Sequence, residues 1–408
     1  MSLRESFVLL FIAGLAPGLI QLSHPTGLGL GPGREMAVLG KNLAHGGIYG
    51  DSFRSMKTGP TAMNPPLYPL FLASFFRLFR DPVAATIVIL LANVIVNALI
   101  PAMLPRVSVF LWGTAAPGIA AGVLSILSAR LIPDWDADYT QLGLILFCVM
   151  TMRVVMRHGL GIWQGAISGA ALGILFLLSQ VILLVALPWI GLVLMVRRAR
   201  VRDAARFLIT LTLAAAVVNV PWLVRNYRIW GEVTARTNFG MVVYSSNNDC
   251  AAPSLYEELA SGCSMETNPE SSVPEASLLK RMGEPAYARL KLREAKTWIQ
   301  SHPRRFLQLT LARIVQFWFP VPVAPFYASY MVWGVTILSL PGIFLMCRRR
   351  VWATWFLGAV FLLYPLAYYI AVSEIRYRIP VLWLSCLAAG YFLAAIPQWR
   401  AARVLANG

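Results

Sequence analysis

PVAATIVILLANVIVNALIPAML, residues 82–104, contains no charged side chain. A helix of that length can cross about 30 Å of hydrocarbon. Only helices and closed barrels satisfy every backbone polar group in lipid, and barrel strands are about ten residues of alternating character. The stretch is longer and apolar all round, so it reads as a spanning helix. Similar runs recur outward from it at 6–22, 107–129, 139–156, 160–178, 180–196, 206–224, 328–346, 351–371 and 379–396, which predicts about ten spans. Composition agrees. Of 408 residues, 58% are hydrophobic and 13% charged, whereas soluble chains carry about 25% charged residues. The expected fold class is an all-α membrane protein.

Charge sets the expected orientation. With the N-terminus cytoplasmic and 65–79 (PPLYPLFLASFFRLF) not spanning, Arg106, Arg153, Arg157, the cluster Arg197, Arg198, Arg200, Arg202 and Arg206, the run Arg348 to Arg350, Arg400 and Arg403 all fall inside. This is the positive-inside pattern of short loops. Segment 65–79 is then a juxtamembrane helix on the outer surface. The net charge of +17 would suggest nucleic acid in a soluble protein. Here the basic residues flank spans, so membrane lipids are the expected partners and nucleic acid is not.

The chain divides into an N-terminal membrane region, 1–224, with outer loops 23–81 and 130–138; a large outer loop, 225–327; and a C-terminal membrane region, 328–408. The first run reads as an uncleaved anchor. The large loop is Ser/Pro/Glu-rich up to about 275 and then turns helical, with a stop at His302-Pro303. RRFLQLTLARIVQFWF follows, with an apolar face and Arg304, Arg305 and Arg313 off it, as a second surface-lying helix. Cys250 and Cys263 flank CAAPSLYEELASGC and form the favoured disulfide if that loop lies outside the cytoplasm.

Most acids fall on the outer side. Glu35 lies in GREMAVLGKNLAHGGIYGD, and Asp134, Asp136 and Asp138 lie in PDWDADY between two spans. Carboxylates there can act as a general base on an acceptor hydroxyl; the three Asp are also the donors if a divalent cation is held. The bland alternative for them is a solvated loop. Arg225 and Arg228 in PWLVRNYRIWG, and Arg376 and Arg378 in SEIRYRIP, suit a lipid phosphate, because guanidinium forks pair two phosphate oxygens at once. Their alternative is anchoring to headgroups. The four histidines show no metal-ligand spacing, and no Walker, G-x-S-x-G or GxGxxG motif is present.

Seven segments, in order, resemble the GT-C superfamily of integral-membrane glycosyltransferases, near its polyprenyl-phosphate-sugar branch of aminoarabinose and protein mannosyl transferases. They are the stretch ending Leu43-Ala-His-Gly-Gly-Ile-Tyr49, NPPLYPLFLASFFRLF at 64–79, GAALGILFLLSQ at 169–180, PWLVRNYRIWGEV at 221–233, Ser245-Ser-Asn-Asn248, AKTWIQSHPRRFLQLTLARIVQFW at 295–318, and EIRYRIPVLWLSCLAAG at 374–390. The resemblance implies a transferase of the bacterial inner membrane with both termini cytoplasmic and its site on the outer, periplasmic face. Its donor would be a sugar on a polyprenyl phosphate, and its acceptor a glycan, lipid or protein.

The resemblance makes Glu35, Asp136 and Asp138 the candidate catalytic residues, and Lys57, Tyr68, Arg225, Arg228, Arg376 and Arg378 the candidate substrate-binding residues. An Asp usual in the family ahead of Glu35 is absent, where the chain reads Gly31-Pro32-Gly33-Arg34, and Asn64 stands where some members carry a basic residue before the Pro-Pro pair. Two alternatives remain at this point: a transporter or flippase of a lipid-linked sugar, and a GT-C-like binding subunit without catalysis.

Overall fold

The computed structural model describes residues 2–23, 34–53, 55–79, 81–128, 136–322 and 326–407. The chain is helical from end to end, and among the described residues extended pairing is confined to two isolated bridges, Gly50 with Pro60 and Ser254 with Ser373. The first half comprises α1 (Leu3–Ser23), α2 (Arg34–Ala44), α3 (Leu67–Leu78), α4 (Pro82–Trp112), α5 (Ala116–Leu127), α6 (Ala137–His158), α7 (Ile162–Phe176), α8 (Leu183–Val196) and α9 (Val201–Trp230). Short helices follow: α10 (Phe239–Ser245), α11 (Leu255–Ser261), α12 (Cys263–Thr267), α13 (Val273–Met282), α14 (Glu284–Ser301) and α15 (Pro303–Trp318). The chain closes with α16 (Phe326–Arg348), α17 (Ala353–Leu363), α18 (Leu366–Tyr369) and α19 (Ile379–Asn407).

Every apolar run is helical, but the expected ten spans are not all of spanning length. Among the described residues six helices are long and apolar enough to cross a membrane: α1, α4, α6, α9, α16 and α19. The largest difference is at 107–129. Arg106 reads as a loop residue, yet α4 continues through Pro101, Pro105 and Arg106 to Trp112 and stops at Gly113, whose φ of 75° favours glycine. A half-buried neighbour accounts for the continuation: the Arg106 guanidinium lies 4.8 Å from the Phe7 ring on α1, so the charge has a partner without leaving the helix. Only Ala116–Leu127 remains for the next helix.

The middle of the bundle is α19. Its residues Val381 to Ala389 are all buried. Two glycines allow the close approach: a Cβ at Gly342 would overlap the Ala388 carbonyl, and one at Gly390 the Pro117 carbonyl. Small residues at such crossings replace the hydrophobic drive that lipid removes.

The large loop is more ordered than its composition suggests. The polar stretch before 275 folds as α10 to α13, capped by Ser254 and Ser272 side chains that accept the Glu257 and Glu275 amide hydrogens. The helix ending at His302-Pro303 is α14. In α15 one expectation is overturned. Arg313 is not off the buried face but fully buried, donating to Asn247 Oδ1 at 3.1 Å and to the Ser246 carbonyl. A buried guanidinium needs acceptors for its N–H groups, and Ser246 and Asn247 supply them to its two terminal nitrogens.

The α10–α15 layer docks on the first loop. Glu284, buried at the start of α14, accepts the Ala62 amide at 2.8 Å and the Thr237 hydroxyl at 2.6 Å. The first loop in turn is pinned to the bundle by the Leu67 amide, which donates to the Leu177 carbonyl at the end of α7.

Candidate active site

Four segments meet at one end of the bundle: the start of α2, the start of α6, the exit of α9 and the turn before α19. Each delivers one charged side chain, and each is half-buried. These are Glu35 in the first turn of α2, Asp136 at the N-terminal end of α6, Arg236 beyond α9, and Arg376 in the helical turn Ile375–Tyr377. Burial pushes the Glu35 carboxyl above the usual carboxylate range. The hydrogen bond it accepts from Asn64 Nδ2 at 3.2 Å and the charges of Arg376 and Arg236 pull the other way, while Glu270 adds to the rise. Burial likewise raises Asp136, to about 6, against the attraction of Arg236 and Arg376. Both arginines therefore act on both acids.

Burial disfavours the charge on Arg236, and Asp136 and Glu35 are among the groups that favour it. Its Nε donates to the Met63 carbonyl at 2.8 Å, which leaves part of the guanidinium turned to the cluster. Burial also works against Arg376, but Glu374, Tyr377 and Glu35 outweigh it and hold the guanidinium above its ordinary range. Arg376 pairs with Glu374 at 2.6 Å and lies 5.1 Å from the Tyr377 ring. Tyr368 stacks on Tyr377 at 4.6 Å, so an aromatic wall stands beside the two cations. Acids with raised pKa values beside cations in a recess make this cluster the candidate functional site.

The other expected site residues are distributed differently. Asp138 faces into the bundle, accepting from Asn97 Nδ2 at 2.9 Å, and with Gln141, Ser128 and Arg378 it lines a small cavity of about 30 Å³. Tyr68 is buried, 5.2 Å from the Tyr139 ring. Lys57 and Arg228 are exposed. Asp134 lies outside the described residues.

The guanidiniums of Arg225 and Arg378 are taken up within the fold. Arg225 donates to the carbonyls of Thr61 at 2.6 Å and Tyr49 at 2.8 Å, between the rings of Tyr49, Trp222 and Trp230. Arg378 is fully buried, 4.1 Å from the Trp318 ring, and donates to the Phe317 carbonyl, Thr336 and Ser385. Arg236 is the site residue that the sequence reading missed. It stands alone in TARTNF, without the paired spacing that marks Arg225 and Arg228.

Among the described residues no three His, Cys, Asp or Glu side chains converge. Asp138 turns to Asn97, and Asp136 shares its surroundings with two guanidiniums.

The fold is shared with solved oligosaccharyltransferase structures. The chain is similar to the oligosaccharyltransferase of Archaeoglobus fulgidus: in a complex with Zn and sulfate (TM-score 0.59, 11% identity, 98% of this chain and 50% of that one) and in the apo form (0.58, 13%, 99% and 52%). It is also similar to the same enzyme, AglB, in complex with an inhibitory peptide and a dolichol-phosphate (0.54, 11%, 99% and 51%). The chain thus spans about half the length of these proteins. No protein-family model and no curated protein sequence matches it.

Proposed function

We propose that this chain is a membrane glycosyltransferase that moves a sugar from a polyprenyl-phosphate carrier to an acceptor hydroxyl or amide. The observation that carries the reading is the meeting of Glu35 and Asp136 with Arg236 and Arg376 at one mouth of a GT-C fold. A neighbour in fold has been captured with a dolichol-phosphate, which is the same class of carrier.

In the reaction the acceptor atom attacks the anomeric carbon, and the bond from that carbon to the phosphate oxygen breaks. Asp136 takes the acceptor's proton. The carrier leaves as polyprenyl phosphate, and Arg376 and Arg236 stabilise the charge that grows on it, a contribution that is large where water is excluded. Glu35, held by Asn64, orients the acceptor. The wall of Tyr368 and Tyr377 offers the sugar a face to stack on.

The reading extends to placement. The site end is the outer face, the membrane is a bacterial inner membrane, and both termini are cytoplasmic. The shorter apolar helices complete a ten-span bundle, with 1–224 and 328–408 as its parts and 225–327 as the cap over the site. The Cys250–Cys263 disulfide in the cap supports this, because disulfides persist in oxidising compartments. So does the concentration of arginines, such as Arg197, Arg198, Arg200, Arg202 and Arg206, at the opposite end of α9.

Binding of a polyprenyl phosphate to the purified protein in detergent tests the assignment of the arginines. Arg376→Gln and Arg236→Gln should each weaken it by about tenfold or more, the worth of a charge-assisted contact, while Arg228→Gln leaves it unchanged. Equal binding by all three variants would sink the reading.

A further inference from the structure

The segment that carries Arg376 into the site is not held by the bundle alone. Between α18 and the turn at Ile375–Tyr377, residues 370–373 run against a strap from the cap. The Val372 amide donates to Ser246 Oγ at 2.9 Å, and Asn247 Nδ2 donates to the Ile370 carbonyl at 2.9 Å. Further along, the Ser373 amide donates to the Pro253 carbonyl at 2.8 Å, and the Leu255 amide donates to the Ser373 carbonyl at 3.1 Å, which makes the parallel bridge of Ser254 with Ser373. The next residue is Glu374, the ion-pair partner of Arg376.

The strap is held by side chains of the cap and by one covalent link; Trp298 Nε1 donates to Asp249 Oδ1 at 2.6 Å. Arg313 reaches the Ser246 carbonyl and Asn247, and Arg305 reaches the Ala251 carbonyl at 3.3 Å. The covalent contact is the disulfide from Cys250 to Cys263, which closes the strap onto the buried start of α12. Irregular backbone between Ala251 and Ser254 has no helical hydrogen bonding to keep it in place. The cross-link at one end adds a covalent restraint to these contacts.

We propose that the Cys250–Cys263 disulfide positions Arg376: it fixes the strap, the strap fixes Ser373, and Ser373 sets where the guanidinium meets the lipid phosphate. The proposal rests on the phosphate-binding reading of Arg376 given above. Cys250, Cys263 and Ser373 touch no reacting atom and are positioning residues.

The test has two readouts on the full chain in detergent: hydrogen exchange of the peptide 370–378, and binding of a polyprenyl phosphate. Wild type is measured oxidised and after reduction by a water-soluble phosphine. The Cys250→Ser/Cys263→Ser variant is measured beside it, as is Ser373→Pro, which deletes the amide donor with the disulfide intact. In all three perturbed forms exchange over 370–378 should accelerate while α19 stays protected, and binding should weaken by about tenfold, as for a displaced charge-assisted contact. Reduction of Arg376→Gln should cost nothing further.

Unchanged exchange over 370–378 on reduction overturns the proposal and leaves the role of Arg376 standing. A further loss on reducing Arg376→Gln also overturns it, since the disulfide would then act elsewhere. Wild-type binding by oxidised Arg376→Gln overturns the phosphate reading itself, and the proposal with it.

Discussion

Asp136 gives the proposed reaction a pH signature that the structure dictates. Its carboxyl is raised to about 6, chiefly by burial, with Arg236 and Arg376 limiting the rise. A base must be ionised to take a proton, so activity is present above that value and lost as pH falls through it. The ionised fraction is about nine-tenths at pH 7 and about one-tenth at pH 5. The value of kcat/KM, which reports the free enzyme, should therefore fall about tenfold between those two points. Asp136→Asn should lose a factor of about 10² to 10⁴, the usual worth of a positioned base, and its residual activity should lack this acid limb. Arg236→Gln removes a cation that favours the ionised form, so its limb should move to higher pH. The assay is initial-rate release of polyprenyl phosphate across buffers of constant ionic strength. A wild-type rate flat from pH 5 to 7, or an Asp136→Asn variant that keeps the limb, would refute the assignment.

Three further outcomes follow from the packing. Arg225→Ala should cost about 3 kcal/mol or more in stability, because it strands the Thr61 and Tyr49 carbonyls and empties a three-ring cage; carrier binding, scored on the fraction that still folds, should be unaltered. Gly240→Ala pushes a Cβ into the Ala288 carbonyl, so α10 and α14 must separate; a loss of about 1–3 kcal/mol should appear in thermal melting. Glu258 is buried in the cap and raised by that burial to about 8. Its folded value lies above the unfolded one, so its stability contribution is full below about pH 4.5 and is lost as pH rises from there through about 8. Glu258→Gln should remove that part of the fall in melting temperature over this range, and equal falls in both proteins would show that Glu258 is not its source.

What was legible in the sequence was what local chemistry dictates. Apolar runs must be helical in lipid whatever they pack against, so every run emerges as helix. Glu35 and Asp136 could be picked out as candidates because acids are scarce in this chain. Arg376 and Arg378 look alike in SEIRYRIP, yet only the turn at Ile375–Tyr377 shows that one faces the cluster and the other the interior beside Trp318. Arg313 misled for a similar reason. Its helix is amphipathic, and the acceptors that bury it, Ser246 and Asn247, belong to a distant segment. Arg236 carries no local signal at all; it matters because α9 ends where it does and the Met63 carbonyl receives its Nε. The break expected at Arg106 failed because the ring of Phe7, far away in sequence, partners the charge.

The central claim is that this mouth breaks the bond between sugar and lipid phosphate. The purified protein, incubated with a panel of polyprenyl-phosphate sugars and a mixed acceptor extract, should release free polyprenyl phosphate from at least one donor. That release should vanish in Asp136→Asn and Arg376→Gln but persist in Arg228→Gln. Release that survives in Asp136→Asn and Arg376→Gln, or tight carrier binding without release from any donor, would contradict the account.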